Sequence, residues 1–320
     1  MPLVGCYIFP HGAISLDPST RDLTKVPAYR PNTKRDCLKL HAAMNLQAKI
    51  LVESKPNVIF LTTPHGLRLR ENFVAHGNTM SSGSAEWDGD WVNFKADIEI
   101  DTEITIKLVD SLKESGNLIE MLMVGAPDNQ KLPLNWGEAI PMWFINEAYK
   151  AQSLSPPKSV IIGMPTSYAR VPEKIPDLVK IGRDIWTFLK SELQEKRVAV
   201  VVSCDLSHYH STDPTSPYPF DPDAQPFDDL CVLWSRLDID RDSAAEGGKS
   251  SDTLLKKAGS ITDHIGSCGY TGLALLQGIL ASCATDPDQT IAQEFVSNFI
   301  EYSWPTYYGM LVAHFVPRMI

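Results

Sequence analysis

Two Pro-His-Gly triplets, at residues 10–12 and 64–66, and a Ser-Cys-Asp-Leu-Ser-His stretch at 203–208 carry the side chains of this 320-residue chain best suited to chemistry. His11 and His65 each follow a short β-forming run, Leu3–Phe9 and Val58–Leu61, and the next glycine lets the backbone turn with no Cβ in the way. One histidine so placed usually does no more than hydrogen-bond within its loop. Two in the same context converge on one spot if their strands are neighbours, as strands joined by a single crossover helix commonly are. Asp205 and His208 follow the run Val198–Val202, so a carboxylate and an imidazole sit where a buried strand leaves the core, the place where open α/β sheets bind ligands. Cys268 stands among glycines just ahead of a helix over 271–281, whose positive end favours a thiolate; the competing reading is a small buried residue. Glu138 reads as first-turn decoration of its helix, and His210 as a bystander that points away from His208.

The elements that must position these residues alternate. A helix over 34–54 stops at Lys55-Pro56, because the residue before proline is pushed out of the α region. Further helices are expected over 102–113, from 136 through 148, and over 177–195, 227–237, 251–258 and 271–281, with another around 293–300. Strands are expected at 91–98, 121–124, 159–162 and 310–315. Residues 15–33 read as a long loop, 68–90 as a polar segment wrapping the sheet edge, and 210–225 as an ordered excursion or lid. This alternation predicts an α/β fold, a single domain over 1–320 with a central mixed, mostly parallel sheet flanked by helices.

Bulk composition narrows the function. The hydrophobic share is 43% and the charged share 21%, ordinary for a soluble globular protein, and no apolar run approaches the roughly 20 residues of a membrane span. The N-terminus has no basic leader followed by a long apolar stretch, so a cytoplasmic location is expected. Six cysteines without a CxxC pair read as reduced thiols. A net charge of −10 leaves no footprint for nucleic acid or anionic lipid and directs attention to small molecules or proteins as partners.

With Pro-His-Gly at 10–12, Thr-Pro-His-Gly at 63–66, Ser-Cys-Asp-Leu-Ser-His at 203–208 and Ser-Cys-Gly at 267–269 in this order, the chain resembles the LigB-like superfamily. That group comprises the class III extradiol ring-cleaving dioxygenases and the related Memo proteins, and the similarity runs from His11 to Cys268. The resemblance implies that His11 and His65 ligate a non-haem Fe(II) and that His208, with Asp205, handles protons while O₂ opens a catechol-type ring, in a homo-oligomer. Where the dioxygenases carry a glutamate as third ligand this sequence has Cys268, as the Memo proteins do. A two-histidine, one-carboxylate triad leaves open positions on Fe(II), whereas a thiolate shifts preference toward zinc or copper. Asp263, Glu138 and Asp205 are the carboxylates that would restore the triad, and Asp205 could instead orient His208. Tyr209, Trp136 and Tyr270 are the aromatics available to pack on a substrate ring. Three functions compete: an extradiol dioxygenase, a Memo-like protein that binds a metal or a peptide without efficient turnover, and a zinc hydrolase with water as fourth ligand.

Overall fold

Val198, Val200, Val201 and Val202 are fully buried, each contributing about 1.5–3 kcal/mol of apolar burial, and their strand lies at the middle of the sheet. The computed structural model describes residues 2–126, 128–288 and 290–318. Its strands are β1 (Leu3–Phe9), β2 (Val58–Thr63), β3 (Phe73–His76), β4 (Met80–Ser84), β5 (Lys95–Glu99), β6 (Ile119–Leu122), β7 (Lys131–Leu134), β8 (Ser159–Gly163), β9 (Val198–Ser203), β10 (Phe295–Ser303) and β11 (Met310–Pro317). The helices are α1 (Thr33–Glu53), α2 (Thr102–Glu114), α3 (Trp136–Ala151), α4 (Ile175–Glu192), α5 (Ala224–Trp234), the short turns α6 (Arg241–Ala244) and α7 (Lys249–Ser251), the latter continued by a π-helix (Asp252–Ala258), and α8 (Tyr270–Ala284).

Eight strands form the main sheet in the order β10-β11-β1-β9-β2-β8-β3-β6, and β5-β4-β7 form a small second sheet. Strands β1, β9, β2 and β8 run parallel; β11 joins β1 antiparallel and β3 joins β8 antiparallel. The fold is therefore the α/β architecture read from the sequence, a mixed, mostly parallel sheet between helices. Alternation along the parallel strands explains the two layers. Tyr7, Phe9, Ile59, Leu61, Ala199 and Val201 share one core with α1 and α3, whereas Ile8, Phe60, Val200 and Val202 share the other with α2, α4 and α8. Helix α8 is buried almost all round, and it approaches α4 so closely that a Cβ on Gly278 would come within 3.0 Å of the Val179 Cα.

Three expectations change. Strands β1 and β2 are not neighbours: β9 lies between them, with Phe9 opposite Ser203 and Thr62 opposite Val202. Residues 293–300 are not a helix but enter β10, because pairing with β11 outweighs a spacing of Phe295, Val296, Phe299 and Ile300 that suits a helix equally well. The 68–90 segment is not merely a wrap, since β3 and β4 lie within it.

Candidate metal centre

The insertion of β9 brings three strand exits side by side, so His11, Asp205 with His208, and His65 leave one rim of the sheet together. His11 is held from two sides. Its backbone N–H donates to Asp205 Oδ1 at 3.0 Å, and its Nδ1 lies 2.8 Å from Ser203 Oγ. The Ser203 hydroxyl donates its one proton to the Gly137 carbonyl at 2.5 Å, so it can only accept from His11. The ring is consequently the Nδ1–H tautomer, and Nε2 presents a lone pair. That lone pair faces Cys268 Sγ at 3.2 Å and Asp205 Oδ2 at 3.4 Å.

The ligand-type atoms of His11, His65 and Cys268 all lie within 4.8 Å of one another. Tetrahedral bonds of about 2.1 Å to nitrogen and 2.3 Å to sulfur set the two atoms about 3.6 Å apart, so this donor set fits a metal ion. His65 stands edge-on to His11, with ring centroids 4.7 Å apart, and leans on Trp136 at 4.9 Å. Two glycines make room for it: Gly137 abuts the His65 ring, and Gly66, at φ +77°, sits where a Cβ would run into the Glu138 carboxylate. His208 adjoins the cluster through Cys268, its Nε2 3.6 Å from Sγ.

Burial sets the protonation. It lowers His65 and His208 to about 3, helped by Arg68 and His208 for the first and by Arg170 and His210 for the second, and it drives His11 well below its usual value. All three rings are neutral near pH 7, the form that binds metals and accepts protons. Burial, then the Asp205 charge, raises the Cys268 thiol above its usual value. The helix-end thiolate expected from sequence is therefore absent unless a cation supplies the missing stabilisation.

The carboxylates separate cleanly. Asp205 adjoins His11, and burial pushes it up to about 8 against the backbone N–H groups of His11 and Gly12. Its carboxylate engages His11 rather than His208, while its carbonyl accepts from Gly269 N–H at 2.9 Å and Ser267 Oγ at 3.2 Å, fixing the loop that carries Cys268. Glu138 is fully buried but turned toward its own helix, accepting from Asn135 N–H at 2.9 Å in a capping box. Asp263 is bound to His264 at 2.8 Å on the surface.

Above the cluster opens a cavity of about 610 Å³ whose walls include Trp87, Trp91, Trp136, Tyr218, Tyr307 and Tyr308. Of the aromatics picked from sequence, Trp136 lines it. Tyr270 instead packs on Phe227 and donates to Leu254 O, and Tyr209 accepts from Arg170 at 2.9 Å. Sequence reasoning missed Tyr307 and Tyr308; the signal was the run Ser-Trp-Pro-Thr-Tyr-Tyr-Gly at 303–309, aromatic and placed just before β11. Tyr308 explains the first Pro-His-Gly, because its ring occupies the space beside Gly12.

An α/β sheet whose rim gathers histidines, a cysteine and an aspartate under an aromatic cavity defines the class. The chain belongs to the family of the catalytic LigB subunit of aromatic ring-opening dioxygenase, whose pattern matches residues 24–233. The match takes in His65, Asp205 and His208; His11 and Cys268 lie outside it. A Clostridium acetobutylicum protein, Protein CA_C1420, is 25% identical over 288 residues, covering 88% of this chain and 52% of that protein, so the chain spans about half the length of the curated relative it matches. The crystal structure of the uncharacterized protein JW3007 from Escherichia coli K12 shares the fold, with a TM-score of 0.50, 11% identity and coverage of 97% of this chain and 99% of that one. Among the described residues, no helix is long and apolar enough to cross a membrane.

Proposed function

We propose that the cavity is the active site of a metal-dependent dioxygenase that opens a catechol-type aromatic ring with O₂. The observation that carries this reading is the meeting of His11, His65 and Cys268, the two histidines lining an aromatic-walled cavity, with a neutral His208 in the same wall. His11, His65 and Cys268 would hold the ion, Fe(II) by family resemblance, with Asp205 the carboxylate nearest to hand. When bound, the metal supplies a Lewis acid that acidifies the catechol oxygens and a meeting point for substrate and O₂. His208 takes a proton from a substrate hydroxyl and returns it, a task worth about 10²–10⁴ in rate. Tyr218, Tyr307 and Tyr308 surround His208 and hold its ring in the cavity wall.

Cys268 favours a second reading. A thiol at the ligand position suits zinc or copper better than iron, and the cavity would then serve a Memo-like metal- or peptide-binding protein, or a zinc hydrolase. Anaerobic loading with Fe(II), followed by air and a panel of catechols, separates the two. Under the first reading a yellow ring-opened product appears, and His208→Gln lowers its rate about 100-fold or more while metal content is kept. Stoichiometric zinc or copper in the purified protein, with no O₂ consumed after iron loading, selects the second. A protein that binds none of these metals refutes the dioxygenase and every metal-dependent form of the second reading.

A further inference from the structure

The two edges of the main sheet are β10 and β6, and they are built differently. The β10 edge is blunted: its pairing with β11 shifts register between Phe299 and Glu301, a bulge of the kind that spoils edge-to-edge pairing. The β6 edge has no such device. Residues 118–124 read Leu-Ile-Glu-Met-Leu-Met-Val, with no proline and no lysine. Three of these side chains are more exposed than apolar residues usually are, Leu118 at 56%, Met123 at 53% and Val124 at 50%. The one charge, Glu120, is neutralised by Lys113 at 2.7 Å.

Backbone parity defines what this edge can pair with. Phe73 N–H donates to Leu118 O and Gly77 N–H to Leu122 O, so the even-numbered peptide groups face β3. In a parallel ladder the alternate residues then face away, which turns the N–H and C=O groups of Ile119, Met121 and Met123 outward. This row is self-complementary. An antiparallel copy centred on Met121 pairs Met121 with its own counterpart and Ile119 with Met123, on the order of six backbone hydrogen bonds about a two-fold axis. In that register Glu120 lies opposite Leu122 of the other copy, and each Glu120 keeps its Lys113, so the axis does not bring two bare carboxylates face to face.

We propose that β6 is the seam of a homodimer, pairing antiparallel with a second copy of this chain to make one continuous sheet. The occupant is a second copy rather than a foreign strand because the register satisfies the outward row of both partners and covers Leu118, Met123 and Val124 on each. A seam this short is expected to hold at micromolar rather than nanomolar concentration.

Light scattering after size exclusion, between about 1 and 200 μM, tests it. The chain has a mass of 35.5 kDa, and twice that is expected at the upper concentrations. Met123→Pro removes one outward N–H without touching the β3 ladder and is expected to raise the dimer dissociation constant at least tenfold. Met123→Lys, which leaves the backbone intact, is expected to do the same by placing a charge in the seam, and thermal unfolding of each variant confirms that it is folded. By amide exchange, the N–H groups of Ile119 and Met121 gain protection with concentration while that of Glu120 stays constant. A monomer at every concentration, or a dimer indifferent to both substitutions, overturns the proposal. Either result leaves the metal reading untouched, since no residue of the seam lines the cavity.

Discussion

Two buried polar clusters lie within a few residues of each other along the 203–210 segment, and both contain histidine. In one, Asp228 is fully buried and accepts three hydrogen bonds, from His210 Nε2 at 2.7 Å, Tyr302 Oη at 2.8 Å and Ser207 N–H at 2.9 Å. The His210 ring is stacked on Trp304, 5.0 Å away and 11° from parallel. Around that carboxylate the donors are matched. In the other, His11 spends one nitrogen on Ser203 and turns its lone pair toward Cys268, with His65 edge-on beside it. There Cys268 Sγ, Asp205 Oδ2 and the ligand nitrogen of His65 gather around that lone pair. A buried imidazole bound to a carboxylate that has its full set of donors is a structural tie; one oriented through one nitrogen while the other meets several ligand-type atoms is suited to a cation.

The sharpest way to break this contrast is to remove one member from each side. Asp228→Ala strands His210, Tyr302 and the Ser207 N–H in the interior, and is expected to cost about 3–5 kcal/mol of stability by urea unfolding. His65→Ala removes a ring that offers one nitrogen to the metal site, and is expected to abolish metal binding, measured by bound-metal content, at a stability cost of about 1 kcal/mol in the metal-free protein. If the two variants exchanged phenotypes, the distinction between tie and ligand would be wrong.

Glu138 tests an intermediate case, a buried carboxylate whose Oε1 has no hydrogen-bond partner. Burial pushes it up to about 7, against the Asn135 and Glu138 backbone N–H groups and the Thr63 hydroxyl. The sign follows from proton counting. Between pH 4.5 and about 7 the folded protein keeps a proton that the unfolded chain has lost, so this group's contribution to stability falls as pH rises through that window. Glu138→Gln removes the loss. Relative to wild type, the metal-free variant is expected to gain up to about 3 kcal/mol between pH 4.5 and 8, read from urea midpoints at the two pH values. A parallel pH dependence in the two proteins would mean that Glu138 is ionised at little cost and better partnered than its surroundings indicate.

Much of this was legible in the chain. The glycines after His11 and His65 and the polar crowding after Val202 marked the strand exits, because a buried strand must end where its side chains turn polar. What local sequence could not give was order across the sheet: nothing in residues 198–203 says that β9 inserts between β1 and β2, since that is decided by where α4 and α8 pack. The Phe295–Ile300 spacing was likewise ambiguous, fitting a helix turn and a paired strand alike. The tyrosines at 307 and 308 were invisible as cavity walls because their role depends on β11 returning antiparallel to β1 and laying Tyr308 beside Gly12. Asp205 was found as a residue but not as a contact, its carboxylate reaching His11 on the neighbouring strand exit.

The finest test concerns a hydroxyl that the sequence places in the polar crowding after Val202 without giving it a role. Ser203 receives the His11 Nδ1 proton and passes its own to Gly137 O, so it links the β1 exit to the start of α3 and decides which nitrogen of His11 is free. Ser203→Ala leaves the ligand atoms in place but withdraws that acceptor, and the Nδ1–H tautomer loses its advantage. Removing such an orienting partner typically lowers metal affinity 10- to 100-fold, about 1.4–2.7 kcal/mol, without abolishing binding. Competition against a chelator of known affinity measures it. Ser203→Thr, which restores the hydroxyl, is expected to recover most of the loss, and that recovery separates control of the tautomer from a simple packing defect at the strand end.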